Sequence, residues 1–333
     1  MKFKFNVKIM ISVCLLAVLV LVLPLMNACK AEEVIKIGIT QVVTHPALDA
    51  TREGIIAALA DNGYVEGDNI EIDYQNSEGD PSLFDTIAEK FVGDKVDVIV
   101  SIATPNTLSA IAAAKGTDIP VIFSAITDPA GSGMVESWES HPNDNVTGVS
   151  DMIAVADDVD LITQIVSGVK TIGTLFNDGE ANSVFLVEEL KKACDILDIE
   201  VVERPVSSSA DILAAAQSLV GQVDAIWIGT DNTVVSGLEA LIGVCEENSI
   251  PLFPSDNESI ERGGIAAYGF DYYDIGYQTG EIVVEILGGA DAAGTPVERG
   301  KVISLTVNTA AAERLGVTIP QELIDAAEKV FEN

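Results

Sequence analysis

Residues 34–40 read VIKIGIT, and residues 47–63 read ALDATREGIIAALADNG. The first stretch is a short run rich in β-branched apolar residues, which predicts a buried strand. The second has apolar residues at helical spacing and ends at Gly63, a residue type that commonly terminates helices. A strand followed by a helix is the repeating unit of α/β proteins with a parallel sheet, so this stretch predicts that fold class.

The same strand and helix unit recurs along the rest of the chain. Strands are predicted at residues 70–76, 96–102, 120–126, 171–177, 200–206, 223–230, 250–255, 265–270 and 303–308. A short polar segment, NVTGVS at residues 145–150, separates two similar halves. The pattern predicts an α/β fold of two Rossmann-like lobes, each with a parallel sheet covered by helices on both faces.

The N-terminus has the features of an export signal. Residues 1–8 carry three lysines and no acid, and residues 9–26 are almost entirely apolar. The sequence MNAC, ending at Cys29, resembles a bacterial lipobox, in which lipid is attached to the cysteine. We expect a signal peptide at residues 1–28 and a lipidated N-terminus with a short linker at residues 29–33. The alternatives are cleavage without lipid and a retained anchor, and all three place residues 30–333 outside the cytoplasm.

The charge of the chain restricts the class of its partners. It has 52 acidic and 18 basic residues, which gives a formal net charge of −34. Such a surface repels nucleic acid and anionic lipid head groups, so we expect neither as a partner. The acids are spread along the chain, which is typical of a solvated surface of a soluble protein.

The residues that carry common catalytic chemistry are scarce. No G-x-S-x-G, H-E-x-x-H or G-x-x-x-x-G-K-[ST] motif occurs in the sequence. Cys194 and Cys245 lie in apolar helical segments, which favours buried free thiols over a disulfide. With only two histidines as well, we expect no metal, no cofactor and no enzymatic activity, and instead binding without chemistry.

A ligand site is predicted from the rule that open α/β sheets bind ligands beyond the carboxyl ends of their strands. The loops at these positions are rich in Ser, Thr, Asn, Asp, Pro and Gly, and comprise residues 40–46, 103–107, 126–133, 177–183, 229–233, 254–259 and 270–274. They contain no lysine or arginine. A phosphate, a nucleotide or a dicarboxylate would call for such a cation, whereas a zwitterion would not.

The groups that a zwitterion needs are present in these loops. Its carboxylate could bind the hydroxyls of Thr104, Thr107 or Ser183 at helix starts. Its ammonium could pair with one of four carboxylates, those of Asp128, Asp231, Asp256 and Asp271. Six aromatic residues at strand ends could pack in the core or contact the ligand: Phe123, Phe176, Trp227, Tyr268, Phe270 and Tyr272. His45 either contacts the ligand or caps the helix that follows it.

Several long stretches of the chain resemble one protein family. They include VDVIVSIATPNTLSAI, IPVIFSAITDPAGSGMV, NVTGVSD, IWIGTDNTV and PLFPSDNESIERGGIAAYGFDYYDIGYQTGEI. These sequences are similar to the substrate-binding lipoproteins of ABC transporters, a family that includes tryptophan- and tyrosine-uptake proteins. The resemblance covers essentially all of the chain after the signal.

The resemblance implies a type I periplasmic-binding-protein fold with three crossings between its lobes. Lobe 1 would then comprise residues 34–147 and about 274–298, and lobe 2 residues 148–273 and about 299–333. The implied function is to capture a small solute, here an aromatic amino acid such as Trp, Tyr or Phe, by closure of the lobes. The solute would pass to a membrane permease with its ATPase, and the binding protein would act as a monomer.

The resemblance also suggests contact residues when it is carried over position by position. The expected ligand contacts are Thr104, Thr107, Thr127, Asp128, Asn182, Ser183, Asp231, Asn232, Ser255, Asp256 and Asp271. The ammonium is assigned to Asp256 or Asp231, and the carboxylate to the hydroxyls.

Three other interpretations remain open at this point. The same fold could bind a branched-chain amino acid, a nucleoside or a sugar. It could also act as a sensor or adhesion lipoprotein, or as an enzyme.

Overall fold

A sheet of six parallel strands forms the first layer of the molecule. The computed structural model describes residues 34–138 and 145–332, so the predicted signal peptide and Cys29 lie outside the described residues. The strands follow the order β11-β5-β4-β3-β1-β2. Their bounds are β1 Ile35–Gln41, β2 Ile70–Asn76, β3 Val98–Ile102, β4 Val121–Ser124, β5 Val146–Ser150 and β11 Glu298–Arg299. The central strands are buried on both faces, as expected for apolar β-branched runs in a parallel sheet.

Helices connect and cover this sheet. They are α1 Pro46–Asp61, α2 Pro81–Asp94, α3 Thr104–Ala114 and α10 Tyr272–Leu287. A proline lies in the first turn of α1, α2 and α3, where its missing N–H costs nothing and its fixed φ suits the helix. Helix α10 is remote in sequence from the other three, yet it packs along α1.

A second layer is built on a four-stranded parallel sheet. Its order is β7-β6-β8-β9. The strands are β6 Thr171–Asn177, β7 Glu200–Val206, β8 Ala225–Ile228 and β9 Leu252–Pro254. The helices that alternate with them are α4 Val155–Ile165, α5 Ala181–Ile196, α6 Ile212–Leu219, α7 Asn232–Ser236, α8 Leu238–Asn248 and α9 Asn257–Arg262. The predicted α/β class with parallel sheets is confirmed in both sheets.

A small third sheet, of order β10-β12-β13, differs from the sequence prediction of parallel strands only. It contains β10 Ala266–Phe270, β12 Ile303–Asn308 and β13 Lys329–Phe331, and β10 runs antiparallel to β12. The terminal helices α11 Thr309–Arg314 and α12 Gln321–Ala326 follow β12. Strands β10 and β12 are antiparallel because the chain leaves β10 for α10 and β11 at the six-stranded sheet and then returns in the opposite direction.

The chain therefore passes three times between the six-stranded sheet and the other two sheets. The passages follow β5, β10 and β11, at Ser150, Phe270 and Arg299. These positions lie close to the lobe limits inferred from the family resemblance, although β5 extends to Ser150 instead of ending at residue 147.

The apolar core consists of a large cluster shared by the sheets and a smaller cluster on the other face of the six-stranded sheet, around Phe91 and Phe123. The large cluster includes Cys194 and Cys245 as buried free thiols, and burial raises their pKa to about 11 and about 12. In residues 34–138 and 145–332 no helix has the length and apolar character of a membrane span.

Candidate functional site

A small cavity of about 20 Å³ lies where the carboxyl ends of the two parallel sheets meet. Its walls come from loops and first helical turns that follow strands, as the strand-end rule requires. The lining residues are His45, Ala47, Leu48, Ala125, Thr127, Asp151, Asn182, Thr230, Asp231, Asn232, Val235, Asp256 and Tyr272. This volume is close to that needed by one water molecule, so the two sides of the cavity are packed closely together in this arrangement.

Two strained backbone positions lie at this end of the six-stranded sheet. Ala103 and Ala125 immediately follow β3 and β4, and they have φ values of 76° and 57°. Residues with a Cβ rarely adopt positive φ, and such strain collects at ligand sites. Because Ala125 lines the cavity, the strain marks this edge of the sheet as a functional one.

Three carboxylates dominate the electrostatics of the cavity. They belong to Asp151, Asp231 and Asp256, and none of the described lining residues is a lysine or an arginine. Burial raises the pKa of Asp151 and of Asp256. Burial and the charge of Glu180 raise the pKa of Asp231 to about 7. The cavity therefore favours a ligand that brings positive charge, because a cation would offset both desolvation and mutual repulsion.

The three carboxylates differ in the hydrogen bonds that they already accept. Asp231 caps α7, where it accepts from the backbone N–H of Val234 at 2.8 Å and from that of Asn177 at 2.6 Å. Asp151 accepts from the Tyr272 hydroxyl at 2.6 Å. Asp256 caps α9 with Oδ1, but its buried Oδ2 has no partner among the described residues. Asp256 is thus the carboxylate with an acceptor available for a ligand.

Two further lining residues carry buried polar atoms that lack partners. Asn182 donates from Nδ2 to the Thr230 carbonyl at 2.9 Å, while its Oδ1 is unpaired. Both ring nitrogens of His45 lack a partner with bonding geometry, although the Asn232 amide lies beside the ring. Burial lowers the pKa of His45 to about 4, so the imidazole is neutral near pH 7. Unpaired buried groups are costly, and in a cavity they indicate where a ligand supplies the missing partner.

The two sides of the cavity touch each other directly. The hydroxyls of Thr127, after β4, and Thr230, after β8, lie 3.3 Å apart. On the second side, both carboxylate oxygens of Glu180 accept hydrogen bonds from Asn232 and Thr233 at the start of α7. Glu180 therefore fixes the orientation of the Asn232 amide inside the cavity.

Five of the eleven predicted contact residues come together in this cavity. They are Thr127, Asn182, Asp231, Asn232 and Asp256. Each follows the carboxyl end of a parallel strand, which is why the strand-end rule could identify it.

The other six predicted residues lie outside the cavity lining. Thr104 is buried at the start of α3, Ser183 lies beside Asn182, and four residues serve local structure. The hydroxyl of Thr107 bonds that of Ser101, and Asp128 accepts from the N–H of Gly131. Ser255 donates to Asp158, and the exposed Asp271 caps α10.

The prediction missed several lining residues, of which Asp151 and Thr230 are polar. Asp151 follows β5, so the strand-end rule would have included it if residues 145–150 had been interpreted as a strand instead of a link. Of the six aromatic candidates, only Tyr272 lines the cavity. Trp227 is buried in β8 and donates its indole N–H to Asp158.

Within the described part of the chain, no group of three or more His, Cys, Asp or Glu side chains has an arrangement that could hold a metal ion. Each of the cavity carboxylates instead accepts a hydrogen bond from its own partner, which is the N–H of Val234, the hydroxyl of Tyr272 or the N–H of Ser259.

Comparison with known proteins identifies similar chains. The chain is 41% identical over 261 residues to a tyrosine-binding protein of Clostridioides difficile, covering 78% of this chain and 75% of the relative. Two solved structures each align with 90% of this chain and all of theirs. An ABC domain from Streptococcus pneumoniae in complex with L-Trp has 37% identity and a TM-score of 0.86. The ligand-free, open structure of a Clostridium difficile substrate binding protein with adhesive properties has 36% identity and a TM-score of 0.67.

A family model for ABC transporter substrate binding proteins matches residues 36–331. The match spans nearly all of the described residues, and it confirms the resemblance that the sequence motifs carried. This chain therefore belongs to the ABC transporter substrate-binding protein family.

Proposed function

We propose that this protein captures an aromatic amino acid, tyrosine or tryptophan, for an ABC importer. The observation that carries the proposal is a cavity whose described lining has three buried carboxylates and no lysine or arginine. It also has buried polar atoms without well-placed partners, on Asp256, Asn182 and His45. The names of the tyrosine-binding relative and of the L-Trp complex support this class of ligand. A sugar fits less well, because sugar rings usually stack on aromatic side chains and Tyr272 is the one aromatic among the described lining residues.

The ammonium of the amino acid would bind Asp256. Its Oδ2 is buried and unpaired, whereas both oxygens of Asp231 already accept backbone N–H groups. An ammonium beside Asp256 would lower the pKa of that carboxyl again and so stabilise its charged form.

The carboxylate of the amino acid would bind at the start of α5. This 16-residue helix has no side-chain cap, unlike α7 and α9, whose first N–H groups are bonded to aspartates. Asn182 lies in its first turn and lines the cavity. Uncapped N–H groups and the positive end of the helix dipole suit a carboxylate without any lysine or arginine.

The aromatic ring would pack against the apolar part of the lining. Ala47 and Leu48 in α1 and Val235 in α7 provide this surface from opposite sides of the cavity. A ligand held in this way contacts both lobes, so its binding energy favours the closed arrangement.

We further propose that the protein works outside the cytoplasm, anchored by lipid at Cys29, as a monomer. It would deliver its ligand to a permease that is driven by an ATPase. Family membership supports a transport role, and the protein itself would carry out no chemistry.

The test is calorimetry on residues 30–333 with L-tyrosine, L-tryptophan and L-phenylalanine. We expect tyrosine or tryptophan to bind, and Asp256→Asn to weaken binding by about 100-fold, because loss of a buried charge partner costs several kcal/mol. The control is Asp271→Asn, an exposed cap outside the cavity, which should bind like the wild type. Absence of heat with every aromatic amino acid would exclude the ligand class, and equal affinities of the two variants would exclude Asp256 as the ammonium partner.

A further inference from the structure

His45 is a buried polar residue to which the proposed binding mode assigns no contact, because the ammonium is assigned to Asp256 and the carboxylate to the start of α5. It precedes α1, lines the cavity and is 7% exposed. Both Nδ1 and Nε2 are inaccessible to water, and neither makes a hydrogen bond of good geometry to a described residue, although the Asn232 side chain lies near the ring. A buried ring nitrogen without a well-placed partner is costly, and a folded protein retains that cost when a ligand can supply the partner.

The fold itself does not account for the imidazole. His45 occupies the cap position of α1, but its side chain makes no capping hydrogen bond. The helix start is already favoured by Pro46 in its first turn. Replacing the imidazole should therefore leave α1 intact, which makes the residue open to experiment.

The surroundings of His45 suit the ring of a ligand. Ala47 and Leu48 are its neighbours in sequence, and they line the same cavity with Val235 on the facing side. Asn232 lies beside the imidazole, with its own Nδ2 committed to Glu180 at 2.6 Å. A neutral imidazole between apolar groups offers one donor and one acceptor.

We propose that His45 is a specificity-determining residue that selects an aromatic ring carrying its own hydrogen-bonding group, a phenol or an indole, over an unsubstituted phenyl ring. This inference rests on the proposed function and names the ligand class within it. The phenol hydroxyl can donate or accept, and the indole N–H can donate, so each pairs with one ring nitrogen. Phenylalanine fills the same apolar space but brings no hydrogen-bonding partner for the imidazole.

The expected size of the preference for tyrosine follows from a comparison of two costs. Leaving a buried hydrogen-bonding group without its partner costs more binding energy than losing the contacts of one methylene group. A site that is built to hydrogen-bond a substrate hydroxyl rejects the analogue that lacks it much more strongly than a purely apolar site can. We expect the wild type to bind L-tyrosine at least about tenfold more tightly than L-phenylalanine. Loss of the imidazole should remove this preference.

The experiment measures the ratio of the dissociation constants for L-phenylalanine and L-tyrosine by calorimetry in four proteins. In His45→Leu we expect the ratio to fall to about one, with phenylalanine binding retained. In His45→Asn, which keeps a donor and an acceptor, we expect part of the ratio to return. In Val235→Ala, the control for the apolar lining, both amino acids should weaken together and the ratio should persist.

The outcomes separate this inference from the proposed function. If His45→Leu weakens tyrosine and phenylalanine equally, the imidazole contacts the common amino-acid part and the inference is overturned. A wild type that binds both amino acids with equal affinity overturns it as well, while the aromatic ligand class stands. A wild type that binds neither overturns the ligand class and the inference together.

Discussion

Glu258 is a buried carboxylate near the point where the chain passes into α10. Its Oε1 accepts from the backbone N–H of Tyr272 at 3.2 Å, and its buried Oε2 has no partner among the described residues. Burial, followed by the charge of Asp256, raises the pKa of Glu258 to about 8 from an ordinary value of 4.5. The folded protein therefore holds a proton that the unfolded chain releases. The stability from this proton is fully present below about pH 4.5 and is lost as the pH rises through 8.

This residue gives a prediction for stability against pH. Glu258→Gln replaces the protonated acid with a neutral amide of the same shape, so it should raise the free energy of unfolding at pH 8 by about 1–3 kcal/mol. It should have little effect at pH 5. Urea unfolding at both pH values measures this, with the exposed Glu261 of the same helix as the matched position for a Glu→Gln control. A Glu258→Gln protein that is no more stable than wild type at pH 8 would show that burial does not raise the pKa of Glu258.

At the residue scale, sequence pattern located the site but not every side chain in it. Asp231 and Asp256 were found because acids that follow parallel strands must lie at the ligand-binding edge. Asp128 and Asp271 were expected in the site by the same rule, yet they bond to backbone N–H groups of their own turns, and Asp271 follows the antiparallel strand β10. An aspartate after a strand can cap a helix, stabilise a turn or face the cavity, and only the path of the backbone decides between these roles.

In the described part of the chain, α1 and α10 are in extensive contact and their backbones touch. Gly54 of α1 and Gly276 of α10 lie at the crossing. A Cβ at Gly276 would overlap the Thr51 carbonyl oxygen, and one at Gly54 would overlap that of Tyr273. The two backbones touch because neither position has a side chain. This contact holds α10 on the six-stranded sheet, between the second and third chain passages.

The glycine contact predicts the effect of a single methyl group. Gly276→Ala should lower the free energy of unfolding by about 3 kcal/mol or more, because backbone atoms must move to admit the Cβ. Gly93→Ala in α2 is the control, since a Cβ there meets nothing within 4 Å. That variant should be stabilised by up to about 1 kcal/mol through its higher helix propensity. Chemical denaturation of both proteins measures the contrast, and equal stabilities would rule out a tight crossing.

At the element scale, the sequence predicted which segments are strands better than it predicted their direction. The apolar run in β10 indicates a buried strand whichever way it runs. Its antiparallel pairing with β12 depends on the intervening residues, which leave for the six-stranded sheet and return. The pairing is a property of the chain path, and local pattern carries no information about it.

For the whole molecule, the described residues are arranged more like the L-Trp complex than like the ligand-free, open structure. The TM-score is 0.86 with the L-Trp complex and 0.67 with the ligand-free, open structure, although the identities are 37% and 36%. The direct approach of Thr127 and Thr230 across the cavity agrees with closure. Closure also buries three carboxylates together, which costs free energy unless a cation joins them.

The cost of burying the three carboxylates and the compensation by a ligand's positive charge predict that closure depends on the ligand. Without an ammonium group, repulsion and desolvation of Asp151, Asp231 and Asp256 should favour an open protein at pH 8. Binding of an added amino acid should then shift the population towards the closed form. Small-angle X-ray scattering should show the radius of gyration fall towards the roughly 19 Å expected for a compact chain of about 300 residues.

The same experiment at pH 5 distinguishes two causes of closure. One is relief of the cost of burying the carboxylates, and the other is direct contact of the ligand with both sides of the cavity. Burial, followed by the charge of Glu180, raises the pKa of Asp231 to about 7, so at pH 5 this carboxyl is protonated in the closed form and the cost of burying its charge is largely removed. The ligand-free protein should therefore already be more compact at pH 5 than at pH 8, and the ligand should cause a smaller change. If the radius of gyration of the ligand-free protein is the same at both pH values while the ligand still compacts it, closure is driven by contacts with the ligand. The carboxylates would then contribute to ligand recognition alone.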